Sequence, residues 1–196
     1  PYMLCSQLEL PGVSRLCCID ENAGGAVAAK ALLRAGCRRP AHITAMLEKN
    51  CVCTARWEGF RTAMRKAELE PVLIPAPELG VQGGREAARR LLPMVKRGEV
   101  DGLFVVNDLT AVGVMQNLVK SNIAIPEELA IVAYDNLPFR QTVPVEMASI
   151  DVSIGKLYQT AVETLAEELR GERKPGESVR KKIVPTFVPG ASLPDR

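Results

Sequence analysis

Aromatic residues are scarce in this sequence: Phe, Trp and Tyr together make up 4% of its 196 residues, with Trp57 the single tryptophan. A ligand held against an aromatic face therefore has few candidates, and none stands near Leu79. Histidine is scarcer still. His42 stands alone among Ala41, Ile43 and Ala45, where it reads as a packed strand residue rather than a general base. Neither sign of charge dominates: Lys and Arg number 25 against 23 Asp and Glu, a formal net charge of +2. That excludes a strong field for nucleic acid, membrane or acidic substrates. No apolar run approaches the roughly 18 residues of a membrane span, and Pro1, Tyr2, Met3 and Leu4 lack the basic-then-apolar pattern of a signal peptide. A cytoplasmic protein without membrane contact is expected.

Chemical motifs are missing in the same way. The six cysteines, Cys5, Cys17, Cys18, Cys37, Cys51 and Cys53, all precede residue 54 and include no C-x-x-C pair, so neither a disulfide scaffold nor a zinc site is expected. Cys51 and Cys53 with His42 lack a fourth ligand for a tetrahedral metal. There is no G-x-S-x-G elbow and no phosphate-binding G-x-x-x-x-G-K-[ST] loop. Gly24-Gly25 and Gly83-Gly84 lack the G-x-G-x-x-G spacing of dinucleotide folds. An enzyme is not expected, nor a cofactor or a metal.

What the sequence does contain is alternation. Short β-prone runs near 2–5, 16–19, 41–47, 71–75, 101–106, 129–134, 146–150 and 179–188 are separated by helical stretches at 23–35, 54–68, 82–97, 108–120 and 153–170. This is the pattern of parallel βαβ units. Runs such as Gly102-Leu103-Phe104-Val105-Val106 are continuously apolar, as strands covered on both faces must be. Pro93 should kink the third helix or start a new turn. Residues 171–178 form a charged loop.

In open parallel sheets, ligands bind beyond the carboxyl ends of the strands. Asp20, Arg56, Asn107-Asp108 and Asp135-Asn136 stand at such ends. They offer a bidentate donor, an amide and carboxylates, a set suited to a polar or polyhydroxylated ligand. Asp and Asn at these positions also serve as helix caps and turn formers, and position alone leaves both roles open.

Five segments carry a family likeness. They are 20–25 with 31–39, Arg56-Trp57-Glu58-Gly59-Phe60, 101–108 with Ala111 and Gly113, 125–136, and Ala148-Ser149-Ile150-Asp151 leading to Gly155. In this order and spacing the chain resembles the effector-binding domain of the lactose/galactose repressor (LacI/GalR) family of bacterial transcription regulators. The resemblance implies an α/β, two-lobed, periplasmic-binding-protein-like fold of parallel-sheet sandwiches with the effector between the lobes. On that basis residues 1–39 and 149–171 are expected to form an incomplete N-terminal lobe, and 41–147 with 179–188 the C-terminal lobe. Arg56, Asn107 and Asp135 match the family's effector contacts, joined by Asp20. The implied partners are a small polar effector such as a sugar or sugar acid, a second copy in a homodimer, and operator DNA. DNA would be reached through a helix-turn-helix segment that family members carry at their start and that does not precede Pro1. The alternative is a solute-binding protein of a transport system with the same fold.

Overall fold

Alternating apolar runs and helical stretches fold into two sheets. The computed structural model describes residues 1–45 and 51–194, and the side chain of Cys51 lies outside that description. In chain order the elements are β1 (Leu4–Ser6), β2 (Arg15–Ile19), α1 (Glu21–Arg34), β3 (Pro40–Ala45), α2 (Cys51–Lys66), β4 (Val72–Ala76) and α3 (Val81–Lys96). They continue with β5 (Gly102–Val105), α4 (Asp108–Lys120), β6 (Ala130–Tyr134), β7 (Ala148–Asp151), α5 (Ile154–Leu169), β8 (Val179–Ile183) and β9 (Thr186–Val188). The last two residues expected in the third strand, 46 and 47, lie outside the described residues.

The larger sheet runs β4-β3-β5-β6-β7-β9, parallel except for the antiparallel β7–β9 edge. Helices cover both of its faces, which is why β5 and β6 are buried at every position. On one side Leu103, Val105 and Ile131 meet Leu91 and Leu118 of α3 and α4. On the other, Phe104, Val132 and Tyr134 meet Leu32, Phe60 and Met64 of α1 and α2. Each such side chain contributes about 1.5–3 kcal/mol by leaving water. Helix α3 continues through Pro93 to Lys96.

Two glycines let α1 and α2 touch backbone to backbone. A Cβ at Gly25 would collide with the Arg56 carbonyl, and one at Gly59 with the Asn22 carbonyl. This contact sets the spacing between the start of α1 and the start of α2, where the polar site lies.

The smaller sheet is β1-β2-β8, parallel throughout, with α5 on one face through Leu157 and Ala161. Its buried ion pair joins Arg15 of β2 to Glu168 of α5. Arg15 also donates from Nε to the Tyr2 carbonyl at 2.7 Å.

The chain passes between the sheets three times, at 20, at 152–153 and at 184–185. These crossings redraw the lobe boundaries expected from sequence. Residues 21–39 pack on the larger sheet because the small face of α1, with Gly25, Ala28 and Ala29, fits α2 and Phe104. Residues 148–151 are a strand of that sheet. The run expected as one strand over 179–188 divides at Pro185: Val179–Ile183 pairs with β2 and Thr186–Val188 with β7. Proline has no N–H for the ladder, so the pairing ends there and the chain changes sheets.

Candidate functional site

Three strand ends and two helix starts build a compact polar cluster. Arg56, in the second turn of α2, is 4% exposed. Its Nε donates to Glu21 Oε2 at 2.8 Å, its Nη2 to Glu21 Oε1 at 3.1 Å, and its Nη1 to the Val106 carbonyl at 2.7 Å. Its guanidinium plane lies 3.8 Å from the centroid of the Tyr134 ring. The Tyr134 hydroxyl in turn donates to Glu21 Oε2 at 2.7 Å. Burial opposes the charge on Arg56, but the Glu21 carboxylate more than offsets it, so the side chain stays a cation. Burial pushes the Tyr134 phenol up, and it remains a proton donor.

Asp135 follows β6 with a positive φ of 106°, and Asn136 follows at 55°. A non-glycine residue holds the left-handed region only where its surroundings enforce it. Here Ser149 Oγ of β7 accepts from the Asn136 N–H at 3.1 Å and donates to Asp108 Oδ1 at 2.8 Å. Asp108 Oδ2 accepts from the Leu137 N–H at 2.7 Å. This strut fixes the turn and points the Asp135 carboxylate to within 3.7 Å of Arg56 Nη2. Burial pushes the Asp135 carboxyl up to about 7; Arg56 opposes this, and the carboxylates of Asp108 and Glu21 add to it. The opposition is incomplete because Glu21 already neutralises the guanidinium.

Asn107 follows β5 and caps α4, its Oδ1 accepting from the Thr110 N–H at 2.9 Å. The group that remains for a ligand is its Nδ2 donor. Arg56, Asn107 and Asp135 line one cavity of 160 Å³ together with Gln7, Val52, Cys53, Leu79 and Val106. Gln7 follows β1 of the smaller sheet, so the cavity lies between the two sheets. Asp20 is placed differently: its side chain accepts from the Ala23 N–H at 2.9 Å and caps α1. It does not line this cavity. Two larger hollows, of 480 and 640 Å³, open beside β9 and the 189–194 tail and hold none of these residues.

Sequence reasoning missed Glu21, Tyr134 and Gln7. Glu21 stands one residue past the strand end that drew attention to Asp20. The turn of α1 puts Asp20 at the cap and Glu21 inside. Nor was Arg56 expected to be a buried ion-pair partner. His42 is buried, its Nδ1 3.0 Å from the Phe104 carbonyl, and Trp57 stacks on it with centroids 5.7 Å apart and planes 4° apart. Trp57 is thus helix packing. Among the described residues, no group of three or more His, Cys, Asp or Glu is placed to hold a metal ion. Cys5, Cys17 and Cys18 carry no disulfide.

A polar cavity between two parallel sheets, beyond the carboxyl ends of their strands, agrees with the comparison to family models. Residues 29–193 match the periplasmic binding protein-like domain. The chain belongs to that family. Among periplasmic binding protein-like relatives, the ribose operon repressor of Haemophilus influenzae is 30% identical over 168 residues, which cover 84% of this chain and 49% of that repressor. A LacI family transcriptional regulator from Enterococcus faecium, solved with bound ribose, aligns at 25% identity and a TM-score of 0.79, over 98% of this chain and 70% of that one. The Escherichia coli repressor ascG aligns at a TM-score of 0.83 and 19% identity, over 98% and 69%, and speaks for the fold alone. The chain spans about half the length of the curated relatives it matches. The likeness to LacI/GalR effector domains and the α/β periplasmic-binding-protein-like fold both hold.

Proposed function

We propose that this periplasmic binding protein-like domain is the effector-sensing part of a bacterial transcriptional repressor, and that Arg56, Asn107 and Asp135 bind a small polar effector between the sheets. The observation that carries this reading is the convergence of those three side chains on one cavity, with Gln7 contributed from the other sheet. Asp135 accepts hydrogen bonds from the ligand and the Asn107 amide donates one. Arg56 orients Asp135 and offers a remaining N–H to a ligand oxygen. Asp20 serves beside them as the cap that presents Glu21 to Arg56.

Because the lining comes from both sheets, a ligand held by both favours their approach about the three crossings, and binding shifts the population toward a closed arrangement. In a dimeric repressor that approach changes the spacing of paired DNA-binding segments. The repressors among the relatives favour this reading over a transport protein. No helix among the described residues is long and apolar enough to cross a membrane, and a cytoplasmic site of action accords with a repressor.

The test is calorimetric titration of the chain with a panel of pentoses, hexoses, their acids and nucleobases, wild type beside Asp135→Asn. Binding of one compound class that the substitution weakens about 10-fold or more supports the reading. Equal affinity in both proteins ends it.

A further inference from the structure

Two thiols of the smaller sheet stand side by side, away from the polar cavity. In the parallel pairing of β1 with β2, Cys5 lies directly opposite Cys17, and neither carries a disulfide. Registered residues on neighbouring parallel strands point to the same face, and here that face is the one beneath α5. Cys17 is fully buried there with Leu157 and Ala161 of α5, while Cys5 and Met3, both partly buried, pack against the same cluster. Met3 precedes Cys5 by the spacing that returns a strand side chain to one face. Cys18, the residue after Cys17, turns to the opposite face, where it is registered with Ser6. Three sulfur atoms are thus carried on one side of two paired strands, and partial exposure of Cys5 gives solvent a way in.

Spacing decides what such a pair of thiols can do. Adjacent strands lie about 4.8 Å apart, and nearly parallel Cα–Cβ bonds carry that separation out to the Cβ atoms. A disulfide needs Cβ atoms about 3.8 Å apart and sulfurs about 2.05 Å apart, so it would require the strands to pinch together. A metal ion bonded to both sulfurs at about 2.3 Å holds them roughly 4.0 to 4.6 Å apart, for angles of about 120° to 180°. The strand spacing supplies that without distortion. Ligand type decides which ion. Structural zinc takes four ligands, and among the described residues no third His, Cys, Asp or Glu joins this pair. Two thiolates and a thioether are a soft set of low coordination number, which suits copper(I) and not calcium or magnesium.

We propose that Cys5, Cys17 and Met3 form a three-sulfur site beneath α5 for a soft monovalent metal ion of the copper(I) class. Binding exchanges the two thiol protons for one ion of single positive charge, so the complex carries one negative charge more than the cation brings. Lys181 answers that charge. It lies opposite Cys17 in the register of β2 with β8, so Cys5, Cys17 and Lys181 make one row across the three strands. The ion also ties the three-residue strand β1 to β2, so a bound ion stabilises the smaller sheet by mass action.

The experiment is anaerobic titration of the reduced chain with copper(I) against a colorimetric chelator strong enough to outcompete a single thiol, followed by X-ray absorption at the copper edge. The expected result is tight binding of one ion per chain in a shell of three sulfurs. Cys5→Ser, at a partly exposed position, should weaken binding about 100-fold or more. Met3→Leu should weaken it about 10-fold and reduce the shell to two sulfurs. Cys18→Ala should leave affinity and shell unchanged, because that thiol faces the other way. Thermal unfolding gives a second reading: copper(I) should raise the midpoint of the parent and not that of Cys5→Ser. Binding that survives Cys5→Ser undiminished, or a shell containing nitrogen or oxygen, overturns the site. Loss of binding in Cys18→Ala overturns the assignment of the thiols to faces and the site with it. Zinc bound as tightly as copper(I) overturns the choice of ion, and failure of copper(I) to leave the chelator for the parent chain overturns the whole proposal.

Discussion

Arg56 combines two roles, and its substitutions will not separate them. Its bidentate contact with Glu21 is buried on both sides, 5% and 1% exposed, so Arg56→Ala strands a carboxylate in the interior. The expected loss is about 3–5 kcal/mol of stability, read from urea unfolding. A cleft-exposed arginine could be removed with stability nearly intact, and the burial of Arg56 excludes that outcome. Arg56→Ala combined with Glu21→Gln should recover part of the loss because no charge remains unpaired; a double variant as unstable as the single one would refute this account. His42 sets a different test. Its folded pKa is lowered to about 3, first by burial, with Arg56 also lowering it and its bond to the Phe104 carbonyl opposing, while an unfolded histidine titrates near 6.5. Between these values the unfolded chain takes up the proton and the folded one does not. The contribution is thus complete above about pH 6.5 and is lost as pH falls toward 3. Unfolding midpoints of His42→Phe should therefore fall less between pH 7 and 4.5 than those of the parent. At pH 7 the variant should lose about 1 kcal/mol for the Phe104 carbonyl left without its partner.

At the level of elements, the α1–α2 contact carries the site. Glu21 and Arg56 meet because Gly25 and Gly59 allow the two helices to touch, and a side chain at either forces them apart. Gly25→Val is expected to lower stability by several kcal/mol, within the range for overpacked cores and a broken buried pair, and to abolish effector binding. Gly155 supplies the control. It lies in α5 with nothing within 4 Å of its absent Cβ, so Gly155→Ala should stabilise by about 0.5–1 kcal/mol and leave binding unchanged. Thermal unfolding with titration of both variants separates helix propensity from helix packing. The α1–α2 pair was legible in part: its periodicity and the Gly36 stop are sequence features, and α1 does end at Arg34 ahead of Gly36. Which sheet α1 covers was not legible, because its small buried face complements α2 and Phe104, partners far away in sequence.

For the whole molecule, the two sheets are covered unequally. The larger has helices on both faces. In the smaller, α5 turns Leu157 and Ala161 inward and leaves Tyr158, Val162 and Leu169 exposed at 57%, 63% and 74%. Leu4 of β1 is exposed as well, whereas Leu16 and Leu32 are buried, so the larger apolar patch lies on α5. This stripe should promote association and dye binding in the isolated chain. Val162→Glu with Leu169→Glu is expected to reduce both in light scattering and hydrophobic-dye fluorescence without lowering the unfolding midpoint by more than about 0.5 kcal/mol equivalent. Unchanged scattering would place the sticky surface elsewhere. By itself the sequence determined the βαβ alternation, the family and the strand ends at which Arg56, Asn107 and Asp135 stand, because these follow from local periodicity and from motifs in fixed order. Only the tertiary structure decided that Glu21 rather than Asp20 meets Arg56, that Gln7 joins from the other sheet, and that the chain changes sheets at Pro185. Those facts depend on which residue of a turn points inward and on pairings between segments as far apart as β2 and β8, about which local sequence carries no information.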